Sequence, residues 1–545
     1  MTDDKKQNYL HGAAILAAGV VIMKILGAVY KIPLGNLLGD EGFAYFNVAY
    51  NIYNVFLTVA TAGLPVALSR MISEADALGN KAGAKRTLNV ALLTFLVLGL
   101  IGSTVMFLFP GELAALMSNP RSAQSIFALS PAIVLVCAAS AFRGYFQGRA
   151  NMKPTTISQV LEVFVKVVAG ITLAWLLTRS GESLQLRSAG AIFGVTAGAM
   201  FALAYLFVYK KRKYRADLSE NLTDLPAGRG SILMTLLKIG IPITVGSSVL
   251  SVITLIDTKL VLYQLQNAAG FAPDAADALY GVYSKAMTLY NLPAAFVTPL
   301  AVSVVPAIAA GSAGRRQKEA GEIAESSLRI SAVIAMPMGV GLSVLAFPIM
   351  NVLYPGSNEK GPALLAVMGL ASFFVCIALI TNAVLQAGGN EKYPVLSMTA
   401  GGAVKIAVNW FLVSVPGINI IGAPIGTLCC YVVMCVLNFI FIFRKSVKKP
   451  SLSKIFVRPF LGSALTGVCA YAVYRVSYGL TGDLFSAGVR RFSGEWLGYA
   501  SAMTLAIVAA VIVYLVMTVK TKSITLEDMK LIPKGEKLAG MLKIR

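Results

Sequence analysis

The sequence predicts an all-α, polytopic membrane protein. About 14 transmembrane helices form two pseudo-symmetric six-helix bundles plus two C-terminal helices. Three observations predict this. First, 57% of the 545 residues are hydrophobic and only 13% are charged, about half the charge fraction of a soluble domain. Second, the apolar residues fall in runs of about 20, the length that one helical crossing needs. Third, short polar signatures recur at a fixed spacing. An ordinary soluble enzyme, a disordered chain and a secreted disulfide scaffold are excluded. So is a transmembrane β-barrel, whose strands alternate apolar and polar residues and give no such runs.

In chain order the runs place helices at 10–33, 43–72, 87–109, 123–146, 155–178, 189–209, 231–264, 278–310, 328–350, 361–387, 394–414, 420–443, 456–478 and 497–519. The segment before the first run is polar, and no cleavage site follows, so the first run reads as an uncleaved helix. The charge of the connections sets orientation. Of the 47 Lys and Arg residues, 31 fall in one alternate set of connections and termini and 6 in the other. Cationic loops stay inside, so both termini are expected in the cytoplasm and the number of crossings is even. The net charge of +22 is then a topology signal with contact to anionic lipid, and no nucleic-acid partner is expected.

The chain repeats itself. QGRANMKP around Gln147 and QAGGNEKYP around Gln386 lie 239 residues apart, and Lys166 in VKVV meets Lys405 in VKIA at the same offset. Tyr53-Asn54 and Tyr290-Asn291 recur at 237, and GAIFG from Gly190 matches GAPIG from Gly422 before the sixth and twelfth helices. The expected organisation is a first bundle at 1–215, a second at 216–445, and two further helices with a basic tail at 446–545. Transporters built this way bind substrate between the halves and rock them to alternate access.

The six cysteines lie inside apolar runs without disulfide or metal spacing, and His11 is the single histidine. That removes Ser-His-Asp and Cys-His chemistry. There is no GxxxxGK[ST] and no GxGxxG after a strand. No cofactor or metal is expected, and the chain reads as a transporter rather than an enzyme. The chemistry must therefore lie in membrane-embedded charges. Lys24, Lys166, Lys285 and Lys405 sit deep in four different helices, and Lys31 lies nearer an end where it can snorkel. A cation at mid-depth costs roughly 2.5–3.5 kcal/mol on insertion scales, so several together point to a water-filled cavity that receives an anion. Lys24, Lys285 and Lys405 are the leading candidates.

Glu162 and Asp257 are the embedded acids, assigned to ion coupling or charge pairing. Glu162 stands four residues before Lys166, the favoured order for an internal pair. Asn47, Asn54 and Asn291 add uncharged hydrogen-bonding groups on the second and eighth helices, suited to sugar hydroxyls or amides, though such residues also join helices. Pro33, Gly63-Leu64-Pro65, Pro242, Pro293, Pro299, Pro306 and Pro337 interrupt core helices, as backbone facing a cavity permits.

The stretch KILGAVYKIPLGNLLGDEGFAYFNVAYNIYNVFLTVATAGLPVALSRMISE from Lys24 to Glu74, and YSKAMTLYNLPAAFVTPLAVSVVP from Tyr283 to Pro306, resemble the multidrug/oligosaccharidyl-lipid/polysaccharide (MOP) exporter superfamily. The resemblance is to its SpoVB/YtgP branch, relatives of the MurJ lipid II flippases, and covers the whole chain. It implies export of an undecaprenyl-pyrophosphate-linked saccharide, lipid II or a related cell-wall precursor, from the inner to the outer leaflet. It also implies that Lys24 takes the place of the first cavity arginine of helix one and that Lys285 falls close to the cavity arginine of helix eight. Around the second helix-one arginine this chain has Tyr30-Lys31, and the corresponding stretch of helix two is uncharged.

The partners expected are a lipid-linked oligosaccharide and anionic membrane lipids, with cell-wall synthesis proteins as further candidates. The lipid tail is expected along a groove beside the last two helices. Membrane potential or an ion gradient would supply the energy. Two other readings stay open: a cation-coupled multidrug antiporter of the same superfamily, and a non-transporting scaffold for cell-wall enzymes. A role in sporulation follows from the resemblance alone.

Overall fold

The computed structural model describes residues 3–213, 228–313, 317–445, 449–486, 491–525 and 528–529, and these contain no strand. The first long helix, α1 (Asp3–Thr61), joins the first two expected segments through a bend at Gly39, whose φ of 67° and ψ of −166° are open to a residue without Cβ. The second expected segment is then cut at Gly63, and α2 (Leu64–Ala77) restarts with Pro65 in its first turn. A side chain at Gly63 would meet the Gly240 carbonyl and lie 2.5 Å from the Thr244 hydroxyl. This break is a close backbone approach.

The first half continues with α3 (Lys81–Leu108), started by the Asn80 side chain, then α4 (Pro110–Leu116), α5 (Ala123–Gly148), α6 (Lys153–Arg179) and α7 (Leu184–Lys213). Next come α8 (Arg229–Asn267), α9 (Pro273–Tyr290) and α10 (Leu292–Ala313), so the expected segment 278–310 is broken at Asn291, just before Pro293. Then follow α11 (Gln317–Val344), α12 (Ala346–Leu353), α13 (Gly361–Ala387), α14 (Lys392–Val413), α15 (Gly422–Lys445), α16 (Arg458–Ser486) and α17 (Arg491–Lys520). Pro33, Pro242 and Pro337 are carried inside α1, α8 and α11.

Twelve helices among the described residues are long and apolar enough to cross a membrane. The difference from fourteen arises in two places. The bent stretch Ile22–Ala77 contains two expected crossings in one, and the broken pair α9 and α10 supplies only a short apolar piece, Leu292–Val302. Large apolar side chains stand exposed along the outer faces, among them Leu100, Phe107, Phe164, Trp175, Phe460 and Val511. In water such surface would drive association; in a bilayer it meets acyl chains.

The chain divides into two compact units. Unit 1 holds residues 1–263 together with Ala272–Gly281, and unit 2 holds Gln264–Phe271 and Val282–Arg545. The sequence boundaries at 215 and 445 adjoin 214–227 and 446–448, which lie outside the described residues.

Internal duplication is visible in the hydrogen bonds. At the end of α5, Ala150 (φ 54°) donates to Gln147 O at 2.9 Å and Asn151 to Phe146 O at 2.9 Å. At the end of α13, Gly389 (φ 73°) donates to Gln386 O at 3.0 Å and Asn390 to Leu385 O at 3.0 Å. Both are the left-handed cap that ends a helix and satisfies its last carbonyls, and every bonded position matches at offset 239.

Candidate functional site

In unit 1 the bend at Gly39 brings the two arms of α1 together. Lys31 and Asn47, equally spaced about Gly39, meet: Lys31 Nζ donates to Asn47 Oδ1 at 3.4 Å, while Asn47 Nδ2 donates to the Phe43 carbonyl at 2.7 Å. Lys31 Nζ also lies 5.6 Å from the centre of the Tyr50 ring. From α6, Lys166 Nζ lies 5.6 Å from the Tyr30 ring and 5.7 Å from the Tyr50 ring. Two half-buried ammonium groups thus share one aromatic ring. A ring face attracts a cation by about 0.5–2 kcal/mol, according to desolvation, and so offsets part of the cost of holding each charge at depth. It does not neutralise the pair. Two like charges at one ring leave a field that an anion would relieve.

Glycine sets the height of Lys166. The α7 residues Gly190, Gly194 and Gly198 repeat every four positions along one face, and α6 packs on that face backbone to backbone. A methyl on Gly194 would lie 2.6 Å from the Lys166 carbonyl, and one on Gly198 would strike the Glu162 carbonyl. Small residues at this spacing are how helices pack closely in lipid. Across the same seam Tyr30 donates its hydroxyl to the Ala191 carbonyl at 2.8 Å, which fixes the ring beneath Lys166.

Glu162 pairs with Arg143, at 2.7 Å, and Arg143 Nε donates to Ser158 Oγ at 3.0 Å. Sequence reasoning counted Arg143 with the loop charges, yet it is buried in the last turns of α5. The pair lines a cavity of about 290 Å³ of mixed character together with Ser140, Gln147 and Gln159 and apolar groups such as Leu57 and Val136. No helical spacing links positions 143 and 162, so only the packing of α5 on α6 reveals the contact. Asp257 is buried beside Thr258, which shares hydrogen bonds with Asn51 (2.9 Å) and Tyr280 (2.9 Å). Asn54 is half-buried, its carbonyl accepting from Thr58, and Lys24 is exposed.

In unit 2, Lys285 is buried on α9 with Nζ 5.2 Å from the Tyr354 ring centre. Lys405 is buried on α14, within electrostatic reach of Tyr431, whose hydroxyl is hydrogen-bonded to that of Tyr290. Asn291 is exposed at the break between α9 and α10, where its side chain donates to the Met287 carbonyl at 2.8 Å.

A second cavity in unit 2, of about 370 Å³, is walled almost wholly by apolar groups of α11, α16 and α17, including Leu342, Leu345, Ala470, Ile507 and Val511. The structure therefore brings Lys31, Lys166 and Asn47 into one cluster in unit 1, and places Lys285 and Lys405 in unit 2.

Residues 9–312 match the family model described as polysaccharide biosynthesis protein. Three relatives come from Bacillus subtilis (strain 168). The uncharacterized membrane protein YabM is 28% identical over 98% of this chain and 96% of its own length. Stage V sporulation protein B is 27% identical over 99% of this chain and 100% of its own. Lipid II flippase MurJ is 24% identical over 80% and 82%.

Two solved structures share the fold. An inward-facing multidrug resistance MATE family transporter of the MOP superfamily has a TM-score of 0.64 at 17% identity, covering 78% of this chain and 97% of that one. Lipid II flippase MurJ in an inward closed conformation has a TM-score of 0.62 at 14% identity, covering 94% and 98%.

Proposed function

Because the chain belongs to the polysaccharide biosynthesis protein family, in the SpoVB and MurJ-like branch of the MOP superfamily, we propose that it is a flippase for an undecaprenyl-pyrophosphate-linked saccharide. The cargo is lipid II or a related cell-wall precursor, moved from the inner to the outer leaflet of the bacterial membrane. The observation that carries this reading is the pair Lys31 and Lys166 around Tyr50, with Asn47 beside them. Two ammonium groups match a pyrophosphate, whose several oxygens accept hydrogen bonds from both. Charge-assisted bonds of this kind are the strong ones.

Lys285 and Lys405 on the second half would meet the same anion in other stages of the cycle. The amides of Asn47 and Asn54 suit sugar and peptide groups. The polyprenyl tail, which has no need to leave hydrocarbon, would lie in the apolar cavity bounded by α16 and α17.

Each negative charge moved outward down an inside-negative potential gains about 2.3 kcal/mol per 100 mV, so the potential can drive export. A lysine-lined site disfavours the drug cations an antiporter would carry. Depletion of the protein should leave a lipid-linked precursor on the cytoplasmic face, and purified protein in vesicles should flip that precursor faster when the potential is inside-negative. If no precursor accumulates and the vesicles flip none, the reading is wrong.

A further inference from the structure

At the end of unit 1 away from the basic loops, outside the membrane-spanning stretches, the first turns of α9 dock on the rest of the unit. We propose that Asp277 is a proton-binding site of the transport cycle, and that its protonated carboxyl closes a two-hydrogen-bond ring with the side-chain amide of Asn119. The proposal rests on the transport reading above and names the ion that would be exchanged.

Asp277 and Asn119 are both buried, 2% and 0% exposed. Asn119 Nδ2 donates to Asp277 Oδ1 at 2.7 Å. The other end of the same amide, Asn119 Oδ1, is buried and accepts no hydrogen bond. An ionised carboxylate has no proton to offer it, because ionised Asp only accepts. A protonated one does: Asp277 Oδ2–H can donate to Asn119 Oδ1 while Asn119 Nδ2–H continues to donate to Asp277 Oδ1. A buried acceptor left without a donor costs about 1–3 kcal/mol, and one proton removes that cost.

The position of Asn119 is held from both sides. Ser118 turns through φ 56°, Asn119 N donates to the Ala114 carbonyl at 3.0 Å, and Ser122 Oγ donates to the Asn119 carbonyl at 2.8 Å.

The charged groups facing Asp277 come from each element packed there. Arg121 is ion-paired to Asp274 and donates to the Tyr45 hydroxyl at 3.4 Å; Glu41 stands on the α1 bend. Arg121 favours the ionised form, while Asp274 and Glu41 oppose it. Burial is the largest influence, and the balance raises the carboxyl to about 7. On α9 one turn along, Gly281 packs directly on the Asp40 carbonyl of the α1 bend. Ala272–Gly281 belongs to unit 1 while the rest of α9 belongs to unit 2. A proton taken from water at Asp277 removes a buried charge and adds a bond, so it favours the docked form of this segment. Its return to water weakens the docking.

Infrared difference spectra of the purified full-length protein test the site directly. A carboxylic C=O band should titrate with a midpoint near 7 and vanish in Asp277→Asn. Arg121→Gln should move the midpoint upward. In vesicles, flipping by the wild type should change several-fold across that range, and flipping by Asp277→Asn, whose amide imitates the protonated carboxyl, should be flat.

A band that persists in Asp277→Asn, or a midpoint unmoved by Arg121→Gln, overturns the proton site. So does flipping by Asp277→Asn with the wild-type pH profile. Absence of flipping by the wild type would refute the transport reading instead, and the infrared result would still decide whether Asp277 binds a proton.

Discussion

Lys166 and Lys405 occupy the same place in the two halves and live in different surroundings. On α7 a methyl at Gly194 would lie 2.6 Å from the Lys166 carbonyl; on α15 a methyl at Gly426 would strike the Asn409 side chain first and lie 3.3 Å from the Lys405 carbonyl. A glycine facing the lysine's helix is therefore shared, though only the first half packs backbone on backbone there. The side-chain setting is not. Lys166 is half-buried beside a second lysine and two tyrosine rings, whereas Lys405 is buried near a tyrosine pair. Duplication has kept the helix contact and let the chemistry around each lysine diverge. Two cations share one ring in the first half, whereas the second-half lysine is buried within electrostatic reach of Tyr431.

The sharpest break in this comparison should come from the Arg143–Glu162 ion pair of the first half, whose positions in the second half hold Asn382 and Gly401. Arg143→Met leaves the part-buried Glu162 without its partner, at a cost of about 3 kcal/mol, the low end for breaking a buried pair. The unfolding midpoint of the purified protein should drop well below that of the double variant Arg143→Met/Glu162→Gln. Equal drops would show that the pair contributes no coupling.

Next in size, Gly194→Val and Gly426→Val should each cost about 1–3 kcal/mol by forcing the helices apart, read as lost folded protein after detergent extraction. A harmless Gly426→Val would mean that the two seams are not equivalent. Substrate contact should then separate the halves: Lys31→Gln and Lys166→Gln each lose a charge-assisted bond of about 1.5–3 kcal/mol, or about ten- to a hundredfold in flipping. Lys405→Gln should lose less than either, and a larger loss from Lys405→Gln reverses the assignment.

The last effect is one of pH. The folded carboxyl of Asp277 is raised to about 7 from an ordinary 3.8. The native state therefore holds this proton more tightly than the unfolded chain, and stability falls as pH rises from about 4 through 7. Asp277→Asn should raise the unfolding midpoint above pH 7 and change it little near pH 4; the opposite trend would place the proton elsewhere.

Much of the fold was legible from linear features. The apolar runs, the cationic loops and the words around Gln147 and Gln386 need no packing to be read, and the repeat they declare reappears bond for bond in the caps after α5 and α13. The candidate site was legible only in part. Lys31 and Asn47 stand on separate predicted segments, and nothing in their spacing tells that Gly39 folds one onto the other. Lys166 was read against Glu162, its helical neighbour, while the structure gives Glu162 to Arg143 and Lys166 to two tyrosine rings.

Sequence alone thus determined the class, because the solvent a residue requires is a property of that residue: a run of about 20 apolar side chains must cross a bilayer wherever its neighbours lie. It also determined the duplication and the residue types available for an anion. Tertiary structure decided which charges meet. Contact energies depend on distances between atoms remote in the chain, and those follow from one glycine bend, one stack of glycines on α7 and the burial of Arg143, none of which a charge count can place.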